Sequence, residues 1–373
     1  MSGDLRVFYY QVTLGPAHLA RVRALDEVPG VFCRGVQLAS AERTRRYRLE
    51  PGDAAGVDTI LEGTYEDLGF ARLLRAACAH LAREAPDAII IDAPADPVQW
   101  WLGRYARRRG VLATTRWAAT VTDHPRFGWK EFLKGFVYRG WDGYLVTGGR
   151  GLEYLRSFGA PEQAVAVCGN PVDAEPIEAA RIAASGERAE TFLFVGRFLS
   201  LKNLDAFLHA FLRYRERGGS WKLKLAGFGE RDRPLREIAR GVDAIEFLGN
   251  LQYPELIEAY VREGCLVLPS YSENWGLVVN EAMHAGMPVL VSRLCGSYVE
   301  LVEEGGNGFG MDPFDEESMV EALQKMEALS AAERVGFSRR AVERIAEHGL
   351  EPWARRVAAF LTERVSASGS GLS

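Results

Sequence analysis

The chain has 373 residues and a mass of 41.3 kDa, more than one ordinary hydrophobic core holds, and its length suits two domains. Hydrophobic residues make up 47% and charged residues 25% of the chain, which is the composition of an ordinary globular protein. The net charge of -5 lacks the basic excess that nucleic-acid binding usually needs, so we expect no nucleic-acid partner.

Cysteine usage and the first residues indicate the compartment. The five cysteines are scattered and form no C-x-x-C pair, so we expect neither a disulfide framework nor a zinc site. The opening residues MSGDLRVFYYQV show no basic segment followed by an apolar one, and no run approaches the roughly 18 apolar residues that cross a bilayer. These features favour a cytoplasmic protein.

Short β-branched and aromatic runs alternate with helical patterns through the first half of the chain. The predicted strands are residues 6–12, 87–92, 110–115, 143–148 and 164–170. The predicted helices are residues 71–85 and 98–109. This alternation is typical of βαβ units and a parallel sheet.

The same pattern restarts in the second half. The predicted strands are residues 191–196, 221–227, 244–249, 265–270 and 288–292. The predicted helices are residues 203–217, 254–264 and 276–285. Gly169 and Pro171 lie between the halves, so we predict an α/β protein with two Rossmann-like doubly wound domains, residues 1–169 and 170–350, facing a central cleft. Ligands of such sheets bind outside the carboxyl ends of the strands.

Glu273 and Glu281 bracket an apolar run after the strand at 265–270. A helix is predicted from 277 to 285, so Glu273 lies on the loop at a strand's carboxyl end and Glu281 on the helix behind it. Two carboxylates so placed can accept hydrogen bonds from separate hydroxyls of one extended ligand, and the N–H groups from Trp275 to Val278 suit an anion or a hydroxyl. Each glutamate alone is also compatible with a solvated loop or helix face.

Two further turns carry cationic residues or glycine. Arg197 ends the strand at 191–196, and Lys202 stands where the next helix starts, a place where a cation opposes the helix dipole unless an anion docks there. The alternative is that Arg197 and Lys202 are surface residues with no anion bound between them. Gly227 and Gly229 would let backbone approach a phosphate or a base. The chain has no D-x-D pair, so Arg197 and Lys202 would have to neutralise a diphosphate without a metal.

Together these residues resemble the retaining glycosyltransferases of family GT4, which have the GT-B fold. The resemblance covers the C-terminal half in the family's order: Gly196, Arg197, Lys202 and Asn203, the glycine turn 227–229, the loop Phe247–Leu256, and the E-x7-E signature with an A-G-x-P-V ending from Glu273 to Val289.

The resemblance implies a role for each matching residue. Arg197 and Lys202 would hold the donor diphosphate, and Glu281 would accept hydrogen bonds from the ribose. Glu273, with the backbone amides from Asn274 to Leu277, would grip the transferred sugar and act with the two cations in catalysis. The predicted donor-binding set is Gly15, Gly196, Gly227, Gly229, Phe247, Asn250, Glu273, Asn274, Trp275, Gly276, Leu277, Val278 and Glu281.

The resemblance also implies the chemistry. Family members use a nucleoside-diphosphate sugar of the UDP or GDP type, need no metal or other cofactor, keep the anomeric configuration, and let the leaving phosphate deprotonate the acceptor. Residues 351–373, with Trp353, look like the family's last helix, which crosses back to the N-terminal domain and here ends in a tail expected to be disordered.

The N-terminal half resembles the family less. Gly15 in the first βα turn could approach the donor phosphates. Family members often carry a histidine after the strand at 110–115, but here Arg116 takes that place and His124 lies beyond. Either residue could serve the acceptor, and His124 could equally be a solvated loop residue.

One predicted helix has a mixed character. Residues 127–141, Phe127 to Trp141, put aromatic and apolar side chains on one stripe and lysines on other faces. Such a stripe packs in a core more often than on a membrane, but peripheral membrane contact or an apolar acceptor channel stays open. The basic run 107–109 is compatible with a solvated helix end or an anionic surface.

The favoured function is transfer of a hexose-type sugar to an acceptor hydroxyl, in cell-surface glycan assembly or natural-product glycosylation. The alternatives are a sugar-nucleotide epimerase on the same scaffold, which would need no acceptor, and a glycan- or nucleotide-binding module without activity. Nothing in the pattern predicts the oligomeric state.

Overall fold

The computed structural model describes residues 4–43, 56–92, 94–119, 135 and 137–369. The chain divides into two compact units. The N-terminal unit comprises residues up to Asp173 together with those from Leu350 onward, and the C-terminal unit comprises Ala174–Gly349. Each unit is an α/β fold on one parallel sheet.

The N-terminal unit has a seven-stranded sheet in the order β3-β2-β1-β4-β5-β6-β7. Its strands are β1 Leu5–Gln11, β2 Val31–Ala41, β3 Val57–Thr64, β4 Ala88–Ile91, β5 Leu112–Trp117, β6 Gly143–Val146 and β7 Val165–Val167. Its first helices are α1 Pro16–Asp26, α2 Tyr65–Leu68, α3 Phe70–Glu84, α4 Pro97–Arg108 and α5 Gly149–Ser157.

The core of this unit lies on both faces of the sheet. Along β1, Val7 and Tyr9 pack into one buried cluster, whereas Phe8 and Tyr10 pack into another. Strands covered by helices on both faces must be apolar at every position, which is why the sequence pattern predicts a strand at β1.

Two strands of the sheet are not predicted by the sequence pattern. In β2, Arg34 and Gly35 interrupt the apolar run. In β3, which lies at the sheet edge, every residue is exposed or only half-buried, so no apolar run marks it.

The C-terminal unit has a six-stranded sheet in the order β10-β9-β8-β11-β12-β13. Its strands are β8 Thr191–Val195, β9 Lys222–Ala226, β10 Ile245–Gly249, β11 Cys265–Leu268, β12 Val289–Ser292 and β13 Gly308–Met311. Its helices are α6 Glu175–Ala183, α7 Leu204–Glu216, α8 Asp232–Ile238, α9 Tyr253–Arg262, α10 Leu277–His284, α11 Tyr298–Leu301, α12 Glu316–Glu327 and α13 Ala331–Ala346.

The last helix, α14 Leu350–Gly369, belongs to the N-terminal unit. It packs against α1, β5 and β7, and Trp353 is fully buried in the cluster that contains Tyr9. The apolar residues of this helix therefore complete the core on one face of the first sheet.

His124 and most of the predicted helix Phe127–Trp141 lie outside the described residues. Trp141, at the end of that stripe, is described and buried. Its ring lies so close to α4 that a Cβ on Gly103 would come within 2.5 Å of it. This member of the stripe is a core residue. Among the helices that the structure describes, none combines the length and apolar character needed to cross a bilayer.

Candidate functional site

The topology of the C-terminal sheet identifies where a ligand would bind. After β8 the chain builds β9 and β10 on one side, and it then returns to place β11, β12 and β13 on the other. The loops after β8 and β11 therefore diverge at the carboxyl edge, which is the point where doubly wound sheets hold ligands. Arg197 and Lys202 follow β8, and Glu273 follows β11.

The structure brings Lys202 and Glu273 together. The Lys202 Nζ atom forms an ion pair with a Glu273 carboxylate oxygen, with 16% and 18% of the two side chains exposed. Arg197 is exposed, and its guanidinium has no hydrogen bond or ion pair with another described residue. One cation thus sits beside a carboxylate, and a second is available nearby in the same loop.

Asn203 fixes the loop that carries Lys202. It adopts a left-handed conformation with φ 58°, which asparagine tolerates better than most residues. Its Nδ2 atom donates to the carbonyl oxygens of Pro269 at 3.2 Å and Pro313 at 2.7 Å. The Tyr271 N–H donates to the Leu201 carbonyl at 2.9 Å and joins the two loops directly. The Lys202–Glu273 pair is therefore held by backbone as well as by charge.

Gly227 and Gly229 allow neighbouring loops to pack. A Cβ on Gly227 would lie 1.9 Å from the Gly196 carbonyl oxygen, and one on Gly229 would lie 2.4 Å from the Phe198 carbonyl oxygen. The Phe198 N–H donates to the Phe228 carbonyl at 2.8 Å across this contact. The glycine turn thus supports the Arg197 loop. This packing requires glycine at both positions, and the contact with the donor stays a separate prediction.

The segment from Glu273 to Gly276 is tied to a loop that the sequence pattern does not mark. The Gly296 N–H donates to the Glu273 carbonyl at 2.8 Å, and the Ser297 N–H donates to the Trp275 carbonyl at 3.1 Å. Gly276 has φ 87°, which glycine adopts without strain, and it precedes the first turn of α10. In that turn the Val279 N–H donates to the Gly276 carbonyl at 2.9 Å, whereas the N–H groups of Leu277 and Val278 come too early in the helix for an i−4 partner and suit an anion or hydroxyl.

Trp275 serves this segment through its side chain. The indole is buried, with 2% exposure, and its Nε1 atom donates to Asn280 Oδ1 at 2.8 Å. Of the predicted donor-binding residues, Trp275 can therefore offer only backbone, while Asn274 is exposed and Leu277 and Val278 are half-buried.

We expect Gly296→Ala to loosen the Glu273 loop. A Cβ there would lie 1.8 Å from the Asn274 carbonyl oxygen, and an overpacked site of this kind costs about 1–3 kcal/mol in free energy of unfolding. Urea titration measures the loss. Gly336→Ala is the control, since a Cβ in α13 meets only Arg340 at 3.9 Å and should stabilise the helix by about 0.5–1 kcal/mol. Equal free energies of unfolding in the two variants would contradict the close contact between Gly296 and the Glu273 loop.

Glu281 lies on α10 and has a partner that sequence did not indicate. The Tyr260 hydroxyl of α9 donates to a Glu281 carboxylate oxygen at 2.6 Å. Burial raises the pKa of Glu281, and the hydrogen bond from Tyr260 opposes that rise. The arrangement orients a half-buried carboxylate on the helix that follows the Glu273 loop.

Tyr260→Phe should destabilise the protein in a pH-dependent way. Because burial raises the pKa of Glu281, its neutral form is favoured in the folded state. The contribution of this neutral form to the free energy of unfolding is lost as the pH rises through the raised pKa. Removing the donor should therefore cost about 1.5–3 kcal/mol at neutral pH and less in acid. Unfolding at several pH values tests this, with Tyr253→Phe, an exposed tyrosine of α9, as control. A cost independent of pH would contradict it.

The predicted nucleobase loop is only partly free. The ring of Phe247 is half-buried, with the Arg236 guanidinium 4.4 Å from its centroid and the Phe198 ring edge-on at 6.2 Å. Asn250 is exposed. A nucleobase would have to stack or form hydrogen bonds next to the Phe247 ring and its two neighbours. Contact with the nucleobase therefore stays a prediction.

The N-terminal sheet has its own divergence point, between β1 and β4. Asp92, directly after β4, forms an ion pair with Arg116 of β5, and its Oδ2 atom lies 3.1 Å from His18 Nε2. Burial alone would raise the pKa of Asp92, but the charge of Arg116 and the contact with His18 hold it well below its usual range. The structure thus gives the predicted residue Arg116 a fixed, ionised partner.

His18 explains the turn at Gly15. The Gly15 N–H donates to His18 Nδ1 at 3.1 Å, so the proton of the neutral imidazole lies on Nε2, facing Asp92. Burial lowers the pKa of His18 despite the nearby carboxylate. Both ring nitrogens are occupied, which leaves His18 a positioning residue. Asp92 and His18 were missed because their partners are distant in sequence.

Among the described residues, no group of three or more histidine, cysteine, aspartate or glutamate side chains is placed to hold a metal ion. The five cysteines are free thiols.

The residues of the C-terminal site lie within a segment that matches a known family model. Residues 177–344 match the family model described as glycosyl transferases group 1. The chain is 33% identical over 164 residues to a D-inositol 3-phosphate glycosyltransferase of Geodermatophilus obscurus, a match that covers 40% of this chain and 36% of that protein. Across eight such relatives, the chain spans between 15% and 42% of their length.

Two solved structures show the fold over the whole chain. Sucrose-phosphate synthase from Thermosynechococcus elongatus superposes with a TM-score of 0.75 at 17% identity and covers 98% of this chain and 100% of that one. Anabaena HepE in complex with UDP and glucose superposes with a TM-score of 0.71 at 12% identity, with 96% and 100% covered. These likenesses show two Rossmann-like domains of the GT-B type.

Proposed function

We propose, from the match of residues 177–344 to the family model described as glycosyl transferases group 1, that the protein transfers a sugar from a nucleoside-diphosphate sugar to an acceptor hydroxyl. The single observation that carries the proposal is the Lys202–Glu273 pair at the divergence point of the C-terminal sheet. It joins a cation suited to diphosphate and a carboxylate suited to sugar hydroxyls in one place.

The mechanism follows from electrostatics. As the bond between the sugar and the diphosphate breaks, negative charge grows on the leaving phosphate. Lys202, held by Glu273, and the N–H groups that open α10 stabilise that charge because they are already oriented before reaction, and Arg197 adds a second positive charge from the same loop. Glu273 and Glu281 accept hydrogen bonds from the sugar and the ribose. Without a diphosphate, Lys202 neutralises Glu273, and a bound donor would replace that pair with two separate contacts.

We propose that the transfer is metal-independent and retains the anomeric configuration. The acceptor oxygen bonds to the sugar carbon on the face that the diphosphate leaves, and the acceptor proton passes to the leaving phosphate. Support comes from the motif resemblance to retaining enzymes and from two side-chain cations in the loop after β8.

The relatives guide the choice of substrates. Because HepE has been solved with UDP and glucose, UDP-sugars are the first donors to test, followed by GDP-sugars. We propose a cytoplasmic reaction in cell-surface glycan assembly or natural-product glycosylation, consistent with five free thiols.

The experiment combines binding with turnover. Nucleotide sugars are first screened for a rise in melting temperature, since a donor that binds only the native state stabilises it by mass action. The donor that binds is then incubated alone and with a panel of hydroxyl acceptors. Acceptor-dependent release of the nucleotide with a glycosylated product supports transfer. An epimerised donor without acceptor supports the epimerase, and donor binding without any product supports a module that has lost activity.

A further inference from the structure

The outer faces of helices α3 and α4 are rich in arginine. Both helices cover the same face of the N-terminal sheet, because Leu73 and Leu102 pack in one buried cluster. Residues 70–83 and 97–109 contain no aspartate or glutamate. Apart from Arg83, which pairs with Glu84, the arginines of these stretches are Arg72, Arg75, Arg104, Arg107, Arg108 and Arg109. We call this set the arginine face, and all its members are exposed except Arg104, which is half-buried.

The arginine face has little counter-charge of its own. Among the described residues, Arg107 is the one member with an ion pair, since its Nε atom donates to Asp142 Oδ1 at 2.8 Å. Arg104, Arg107 and Arg108 line one surface cavity, and no carboxylate of the described residues lines it with them. Their positive charges repel one another, and an anionic surface placed against them relieves that repulsion.

Helix stability alone does not explain this arrangement. Arg107 and Arg108, at the end of α4, interact favourably with the negative end of the helix dipole. Arg72 lies in the first turn of α3, where a cation opposes the dipole, and that turn contains no acidic residue. Arg75 and Arg104 lie within their helices, before the last turn. The helix dipole therefore accounts for only part of the arginine face.

Exposed aromatic side chains adjoin these arginines. Trp101, near the start of α4, is 43% exposed, and Phe70, the first residue of α3, is 46% exposed. Arg104 and Arg108 follow Trp101 at the i+3 and i+7 positions, a spacing that puts the three side chains on one face of the helix. Tryptophan and arginine on an exposed helix face are typical of a surface that lies against the headgroups of a bilayer.

We propose that the arginine face, together with Trp101 and Phe70, docks on an anionic lipid surface. The guanidinium groups pair with lipid phosphates, and the two aromatic rings enter the headgroup region. Each arginine near an anionic leaflet adds to the attraction. The proposal does not rest on the proposed function, because no residue of the candidate functional site takes part in the contact.

A nucleic acid is the other polyanion that arginines attract. Two neighbouring helices that both carry arginines present a broad surface, which suits the plane of a bilayer. A nucleic-acid duplex is instead read by an element that enters one of its grooves. A short RNA duplex therefore serves as the competing probe.

Co-sedimentation of the full chain with lipid vesicles tests the proposal. Vesicles of phosphatidylcholine with about 30% phosphatidylglycerol should bind the protein, and vesicles of phosphatidylcholine alone should not. Raising the salt concentration from about 0.1 M to about 1 M should release most of the protein, because the Debye length falls from about 10 Å to about 3 Å. Arg104→Gln combined with Arg108→Gln should weaken binding to the anionic vesicles by about tenfold to thirtyfold.

Arg339→Gln combined with Arg355→Gln is the matched control. The two side chains are 72% and 73% exposed, and each pairs with a glutamate of its own helix, so the control removes the same charge from elsewhere on the surface. It should leave vesicle binding nearly unchanged. Circular dichroism establishes that both double variants are folded.

Three results would overturn the proposal. The first is equal binding to anionic and neutral vesicles, and the second is an equal loss of binding in the two double variants. The third is an RNA duplex that binds more tightly than the vesicles and depends on Arg104 and Arg108. Neither donor nor acceptor enters the measurement, so its result is independent of whether sugar transfer occurs.

Discussion

Lys202→Met is expected to reduce the turnover number for sugar transfer by about a hundredfold to a thousandfold, the loss typical when one preorganised group that stabilises transition-state charge is removed. Methionine keeps the length of the side chain but removes the charge that pairs with Glu273. Because the ammonium acts mainly on charge that develops as the diphosphate leaves, the turnover number should fall more than donor affinity. Steady-state kinetics with the donor found by screening measures both.

Lys224→Met is the matched control for that experiment. Lys224 forms an ion pair with Glu263 at 2.8 Å and is partly buried on β9, so its loss tests the general effect of breaking a lysine–glutamate pair in this unit. It should lower stability and leave the turnover number close to normal. Near-normal turnover in Lys202→Met, with the control behaving the same way, would remove Lys202 from the mechanism.

Glu281→Ala should weaken binding of UDP or GDP by about tenfold to a hundredfold, the cost of losing a hydrogen bond to a charged acceptor. Binding to the wild type should also weaken as pH falls through the raised pKa of Glu281, because a protonated carboxyl accepts fewer hydrogen bonds. Calorimetry at two pH values gives both results.

The control for Glu281 is Glu258→Ala on α9, which removes a largely exposed glutamate paired with Arg262 at 2.9 Å. It should change nucleotide affinity little. Equal affinities of wild type and Glu281→Ala would exclude the ribose contact, and a pH profile unchanged by Glu281→Ala would assign that dependence to another group.

Two of the strands that the sequence predicts, β4 and β11, have both faces buried. β4 and β11 are short runs of four buried residues each, bounded by polar or turn residues. Such an apolar run can be recognised in the sequence without any knowledge of the fold. β3 lies at an edge and β13 contains two glycines, so neither forms an apolar run. Their pairing depends on neighbouring strands, information that a local pattern does not contain.

In the C-terminal site, too, the sequence predicts single residues but not the contacts between them. Lys202 and Glu273 are separately visible because each follows a strand and precedes a helix. Their direct pairing is not visible, since it requires knowing that β8 and β11 are neighbours although 70 residues separate Val195 from Cys265. Tyr260 and Gly296 were missed for the same reason. Both act through a single contact with a residue far along the chain.

In the N-terminal unit, sequence drew attention to Arg116 but not to its setting. Asp92 directly follows a buried strand, which is a signal that could have marked it. Arg21 gives no such signal, because an arginine side chain is usually solvated, whereas the structure buries it against Asn170. The contacts of Arg116 with Asp92 and Asn170 become visible only when the fold brings these three residues together.

We propose that the diphosphate of a nucleotide sugar binds between the loop after β8 and the start of α10. A crystal structure with a bound UDP- or GDP-sugar tests it most directly. We expect phosphate oxygens within hydrogen-bonding distance of Lys202 Nζ and the Arg197 guanidinium, with Glu281 on the ribose and the Lys202–Glu273 pair opened. A nucleotide bound elsewhere, with that pair intact, would contradict it.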